Sequence, residues 1–128
     1  MIKLIRFPIA LLCFVSVLVA HNENKDSRAQ FFKDDLGVSQ EQFKRIETID
    51  NYYKIKYQTL NADLKLKQAE LTKSIKHRPF NDSDVKKKIS NESTVSGEIR
   101  LNNIKHHLEI ESLLDSFQRM KFNEYFRM

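Results

Sequence analysis

Apolar residues recur in steps of three and four along most of this chain. From Phe43 they fall at Ile46, Ile49, Tyr53, Tyr57, Leu60, Leu64, Leu71 and Ile75, with a single step of seven across Lys67 and Gln68. That spacing is a helical seam and not the alternation of a strand. Continued to Lys76 it makes a helix of about 38 residues, about 57 Å long at ~1.5 Å per residue. A lone rod of that length exposes its seam to water, so it needs a partner. Pro79 ends it, because the residue before a proline disfavours the helical conformation.

"FNDSD" at Phe80–Asp84 reads as a turn, with helix caps at Asp82 and Ser83. A second helix is expected from about Val85 to Leu113. Its seam runs through Val85, Ile89, Val95 with Ser96, Ile99, Asn103, His106, Ile110 and Leu113. Leu101, Ile104 and Leu108 lie on another face, about 140–200° around from Ile99. Two apolar faces imply two partners. One is the first helix, folded back as an antiparallel hairpin. The other is a second copy of the chain. The expected fold is all-α: a long antiparallel hairpin with short flanking helices, a hooked hairpin, assembled as a homodimer.

Two five-residue stretches repeat one pattern near the two ends of this hairpin. "VSQEQ" occupies Val38–Gln42 and "LDSFQ" occupies Leu114–Gln118. Each reads as a capping box, in which a Ser or Asp side chain accepts from the backbone three residues on and the Gln reaches back. In the first, Val38 precedes the cap Ser39, Gln42 closes the box, and Phe43 stands where a hydrophobic staple to Val38 would close. Gly37 just ahead suits a sharp turn. In the second, Leu114 ends the long helix, Asp115 caps the next, and Gln118 closes the box. The staple is missing there, because Arg119 is the fourth helical residue. A final helix is expected over about residues 116–126. In an antiparallel hairpin both helix starts lie near the same end.

Composition agrees with this pattern. The 128 residues hold two Gly, two Pro and no Trp, and 30% are charged. Few breakers and many charges suit long helices, and the length suits one domain. The net charge of +5 falls to +3 without the first twenty residues, which carry Lys3, Arg6 and no acid. No basic cluster is dense enough for a nucleic-acid footprint, so no nucleic-acid partner is expected.

The N-terminus carries the compartment signal. "MIKLIRFPIALLCFVSVLVA" places Lys3 and Arg6 before an apolar run from Phe7 to Ala20, and polar "HNENKD" follows. A charged start and an apolar middle form an export signal. The run of about 14 residues is short for a span of roughly 20. Ala20 suits a cleavage site and Leu18 does not. Residues 1–20 are therefore read as either a cleaved signal peptide or a retained inner-membrane anchor, with the apolar part reaching back to Leu4. Residues 21–34 then form a linker and helix start, and residues 35–128 the hairpin domain. In either case the domain is expected in the periplasm. The only cysteine, Cys13, lies in that segment, so the exported part has no disulfide and no thiolate ligand.

Paired capping sentences around a long helical hairpin behind an export signal resemble the periplasmic family that includes CpxP and Spy. "LGVSQEQFKRIETI" resembles its first motif. "NIKHHLEIESLLDSFQRMKFNEYF" is similar to the heavy-metal-resistance sensor branch, and the likeness covers roughly Phe31–Phe126. The resemblance implies a ligand His eight residues before the second motif's Leu, and His106 stands there. It implies a Met four residues on, where Ile110 stands. It implies a His pair ahead of the first motif, where Ser27 and Phe31 stand. The implied nickel- or cobalt-type site is thus largely erased, and Asp115 replaces the usual Thr as a sound cap.

The residues themselves leave two readings of His106. It binds Ni, Co, Zn or Cu together with Glu109, Glu111 or a partner subunit, or it is a seam histidine held by a hydrogen bond while His107 is solvated. Adjacent positions point about 100° apart on a helix, so the two histidines are not an i, i+4 ligand pair.

Two functions follow as expectations. One is a sensor or regulatory protein that biases a membrane partner, an anti-sigma factor or sensor kinase. The other is a Spy- or CpxP-like chaperone or envelope-stress adaptor for unfolded periplasmic clients. It rests on Lys44, Arg45, Lys54, Lys56, Lys65 and Lys67 interleaved with Tyr52 and Ile55. An enzyme is not expected. The chain has no glycine-rich phosphate loop, and helix phase brings no Ser, His and acid together.

Overall fold

The computed structural model describes residues 27–126. Residues 1–20, expected from the sequence to be an export signal or anchor, lie outside them with Cys13, His21 and Met128. The chain divides into two compact units, Met1–Ser39 and Gln40–Met128. In the first, residues 27–30 are α-helical and pass into a π-helical turn at Phe31–Asp35. The Phe31 and Phe32 rings meet edge to face at 5.6 Å, and both residues are buried. Gly37 takes a φ of +62°, a left-handed conformation open to glycine without a Cβ penalty. The turn lets the Val38 N–H donate back to the Phe32 carbonyl at 3.1 Å.

The second unit contains three helices, α1 (Gln40–Lys76), α2 (Asp82–Ser112) and α3 (Ser116–Tyr125). Among the described residues there is no strand. α1 is 37 residues long and ends three residues before Pro79, as the proline requires. Lys73 and Lys76 stand in its last turn, the favourable sign for a helix C-terminus. Arg78 donates to the Ile75 and His77 carbonyls, both at 2.9 Å, and so covers acceptors that the helix end leaves open. The Arg78–Pro79 peptide is cis.

α2 begins three residues ahead of Val85. Asn81, rather than Asp82 or Ser83, caps it, because its backbone is extended and its side chain accepts from the Asp84 N–H at 3.0 Å. Asp82 and Asp84 then fall in the first turn, facing the positive end of the helix dipole. Replacing Asn81 by Ala is expected to cost about 1 kcal/mol, read from the urea midpoint.

α1 packs along α2 over their length as an antiparallel hairpin. Its buried side chains are Ile46, Tyr53 and Ser74 from α1 and Val95, Asn102 and Ile110 from α2. Leu114, Gln118 and Phe122 continue the core into α3. Two seam positions differ from the helical count. Asn102 is buried where Asn103 was expected, and Ser74 is buried while Ile75 is nearly half exposed. Near the turn the contact line shifts around α1, and Ser74 donates its hydroxyl to Asp84 across the hairpin. Leu101, Ile104 and Leu108 are exposed, as expected of a separate face.

Candidate functional site

Residues equally far from the Pro79 turn face each other, and this register brings polar groups together across the hairpin. Gln68 meets Glu92 at 3.3 Å, and Lys88 meets Glu70 at 3.3 Å. These pairs are exposed or half-buried and contribute little each. Two deeper constellations lie further from the turn.

The first joins Gln42 to the second repeated motif. Asp115 accepts from the Gln118 N–H at 2.8 Å, and Gln118 Oε1 accepts from the Asp115 N–H at 3.1 Å, a complete capping box. Gln42 of the first motif comes to the same place. Gln42 Nε2 donates to the Leu113 carbonyl at 2.8 Å and to Gln118 Oε1 at 3.1 Å. One glutamine thus satisfies a carbonyl at the end of α2 while engaging the cap of α3. Leu114 is buried beneath them, and Arg119 donates to its carbonyl at 3.3 Å. Val38 and Ser39 belong to the first unit, directly ahead of α1.

The second surrounds His106. Its Nε2–H donates to Asp50 Oδ1 at 2.6 Å, and its ring stacks on Tyr53 at 5.0 Å. The Tyr53 hydroxyl donates to Glu109 at 2.5 Å. Asp50 and Tyr53 are three apart on α1, and His106 and Glu109 are three apart on α2, so each pair shares a helix face. A one-residue slip of register would part all four. Burial, then the Glu109 hydrogen bond and the nearby Glu109 charge, push the Tyr53 phenol up to about 12.

A raised acid pKa means that the folded state holds its proton longer than the unfolded chain does. Stability linked to Tyr53 is therefore complete below pH ~10 and is lost as pH rises from about 10 through about 12. Urea unfolding across that window should show the decline, and Tyr53→Phe should remove its share of it. An unchanged slope in the Phe variant would contradict the Tyr53–Glu109 bond.

The donors around His106 decide whether it can hold a metal. Nε2 carries the proton given to Asp50, which leaves Nδ1 as the one ligand atom of His106, and Glu109 accepts from Tyr53. Ile110 is buried and apolar, Ser27 is exposed, and Phe31 is buried. Among the described residues no three His, Cys, Asp or Glu side chains group to hold a metal ion. The donor set does not fit a closed transition-metal site. His107 is half-buried rather than solvated: it stacks on Phe122 at 4.6 Å and donates to Asn123 at 2.8 Å. Asn123 in turn donates to Glu111 at 3.0 Å, which ties the second histidine to the α2–α3 corner.

Reasoning from the sequence missed Asp50 and the Tyr53–Glu109 bond. A signal was present: a seam tyrosine must place its hydroxyl, and counting equal distances from Pro79 puts the His106–Glu109 turn opposite it. No helix among the described residues is long and apolar enough to cross a membrane. Comparison of the chain with protein-family models, curated proteins and solved structures finds no match.

Proposed function

We propose that the protein is a periplasmic regulatory protein of the helical-hairpin kind, which acts by binding a membrane partner, an anti-sigma factor or a sensor kinase. The observation that carries this reading is the hairpin's cross-linked polar register: Gln42 on the α3 cap and His106–Asp50 beside Tyr53–Glu109. Such a register gives discrete helix packings, and a partner that prefers one of them shifts the equilibrium between them. The heavy-metal-resistance resemblance supports the compartment and the partner class. It does not extend to the metal, because the donors around His106 do not fit one.

A second reading is favoured by exposed apolar side chains among lysines. Tyr52 and Ile55 are more than half exposed, and the Lys56 ammonium lies 5.9 Å from the Tyr52 ring centre. A Spy- or CpxP-like chaperone would hold unfolded clients on such a surface.

Photo-crosslinking from position 55 of the full chain in its native envelope separates the two. The regulatory reading expects one adduct, with an inner-membrane protein carrying a kinase or sigma-factor-binding domain. A broad ladder of envelope proteins would favour the chaperone, and no adduct would contradict both. Isothermal titration with Ni, Co, Zn and Cu is expected to show nothing tighter than high micromolar. Tighter binding lost in His106→Ala would restore the metal reading.

A further inference from the structure

The positive charge of the described residues is gathered at the turn end of the hairpin. Residues 73–88, "KSIKHRPFNDSDVKKK", hold six basic and two acidic side chains, a net +4. The remaining described residues hold twelve basic and thirteen acidic side chains, a net −1. The helix dipole accounts for Lys73 and Lys76 at the end of α1. It does not account for Lys86, Lys87 and Lys88, which stand near the N-terminus of α2, where it favours acids.

Internal pairing takes up only part of this charge. Lys86 pairs with Asp82 at 2.7 Å and Lys88 with Glu70 at 3.3 Å. Lys73, Lys76 and Lys87 are exposed and make no ion pair among the described residues. Arg78 engages the Ile75 and His77 carbonyls through Nη1 alone. Its Nε and Nη2 have no partner among the described residues. That edge of a guanidinium is a two-pronged donor that matches a phosphate.

Two large apolar side chains stand among these charges. Ile75 is 47% exposed and Phe80 is 56% exposed. Phe80 directly precedes the Asn81 cap, where a staple to Val85 would cover it, yet more than half of it faces water. α3 docks at the opposite end of the hairpin, where Gln42 meets Gln118, so within this unit the tip is a turn of two helices alone. Such an end measures about 10 by 20 Å. That is far below the roughly 800 Å² per partner of a stable protein interface. A lipid surface needs no such area, because basic side chains are drawn to its charge and apolar ones enter its headgroup layer.

We propose that the hairpin tip docks on an anionic phospholipid surface. Lys73, Lys76, Arg78 and Lys87 meet the phosphates, and Phe80 and Ile75 enter the headgroup layer. The tip is separate from the Gln42 and His106 constellations, so it can hold a membrane whichever protein partner the hairpin meets.

The chain has no tryptophan, so Phe80→Trp places a single reporter at the tip. The full-length variant is reconstituted with vesicles of phosphatidylcholine and phosphatidylglycerol in equal parts. Its emission should shift to the blue and be quenched by lipids brominated on their acyl chains. With phosphatidylcholine alone, or in high salt, the emission should stay as in buffer. The reading is local to position 80, so insertion of residues 1–20 does not produce it. Added to this variant, Lys76→Gln and Lys87→Gln should each lower the docked-to-free ratio by about fivefold. Lys44→Gln, near the other end of α1, should leave the ratio unchanged. All these positions are exposed, and unchanged circular dichroism separates lost docking from lost folding. An absent shift, or an equal shift with neutral lipid, would overturn the inference. So would a Lys44→Gln loss as large as that of Lys87→Gln. A shift with polyglutamate and none with vesicles would overturn it in favour of an acidic protein.

Discussion

Phe122→Ala is expected to lower the unfolding free energy by about 3–5 kcal/mol. The ring is 2% exposed, stacks on His107 at 4.6 Å and lies 4.9 Å from Phe126. It is the large apolar anchor that fastens α3 to the end of α2, so its loss leaves a cavity at the α2–α3 corner. Phe117 on the same helix is 60% exposed, and its truncation should stay within about 0.5 kcal/mol. Urea melts of the two variants check the contrast. Equal effects would mean that α3 does not dock through Phe122.

Ile110→Ala should cost about 2–5 kcal/mol by the same measurement. The side chain is 1% exposed and sits one turn beyond His106 on the buried face of α2. Ile89, on the same helix but nearly half exposed, is the control and should lose far less. Ile110→Met, which installs the residue the metal-sensor resemblance places there, should cost less than about 1.5 kcal/mol because the volume is nearly conserved. A large loss in Ile89→Ala with none in Ile110→Ala would mean that α2 is rotated about its axis.

Much of the hairpin is legible in the sequence, and the reasons are local. Pro79 and the cap at Asp115 are residue-type signals that act within one turn, so the break and the start of α3 came out close to the structure. The seam was legible where apolar residues are unopposed, at Ile46, Tyr53, Val95 and Ile110. It drifted where the contact line is set by how two helices cross. There Asn102 replaced Asn103, and Ser74 was buried in place of Ile75. An ideal 3.6 period cannot report that drift over thirty residues. Asn81 was passed over because Asn, Asp and Ser are nearly equal caps, and the choice among Asn81, Asp82 and Ser83 depends on backbone angles.

The candidate site was legible only in outline. His106 was singled out through a resemblance, and its role in the structure is a hydrogen bond and a ring stack across the hairpin. Asp50 carries no motif and gains meaning only from the register. The meeting of Gln42 with Gln118 is long-range by more than seventy residues. Each capping motif announces a helix start, but neither announces the other as its neighbour.

The central claim is that the chain doubles back with Tyr53 opposite the His106–Glu109 turn. An isotope-resolved NOE spectrum tests it most directly. The account predicts cross-peaks between the Tyr53 and His106 ring protons, whose centres lie 5.0 Å apart. It also predicts cross-peaks between the Gln42 and Gln118 side-chain amides. Tyr53 contacts to a different turn of α2, or none across the hairpin, would contradict it.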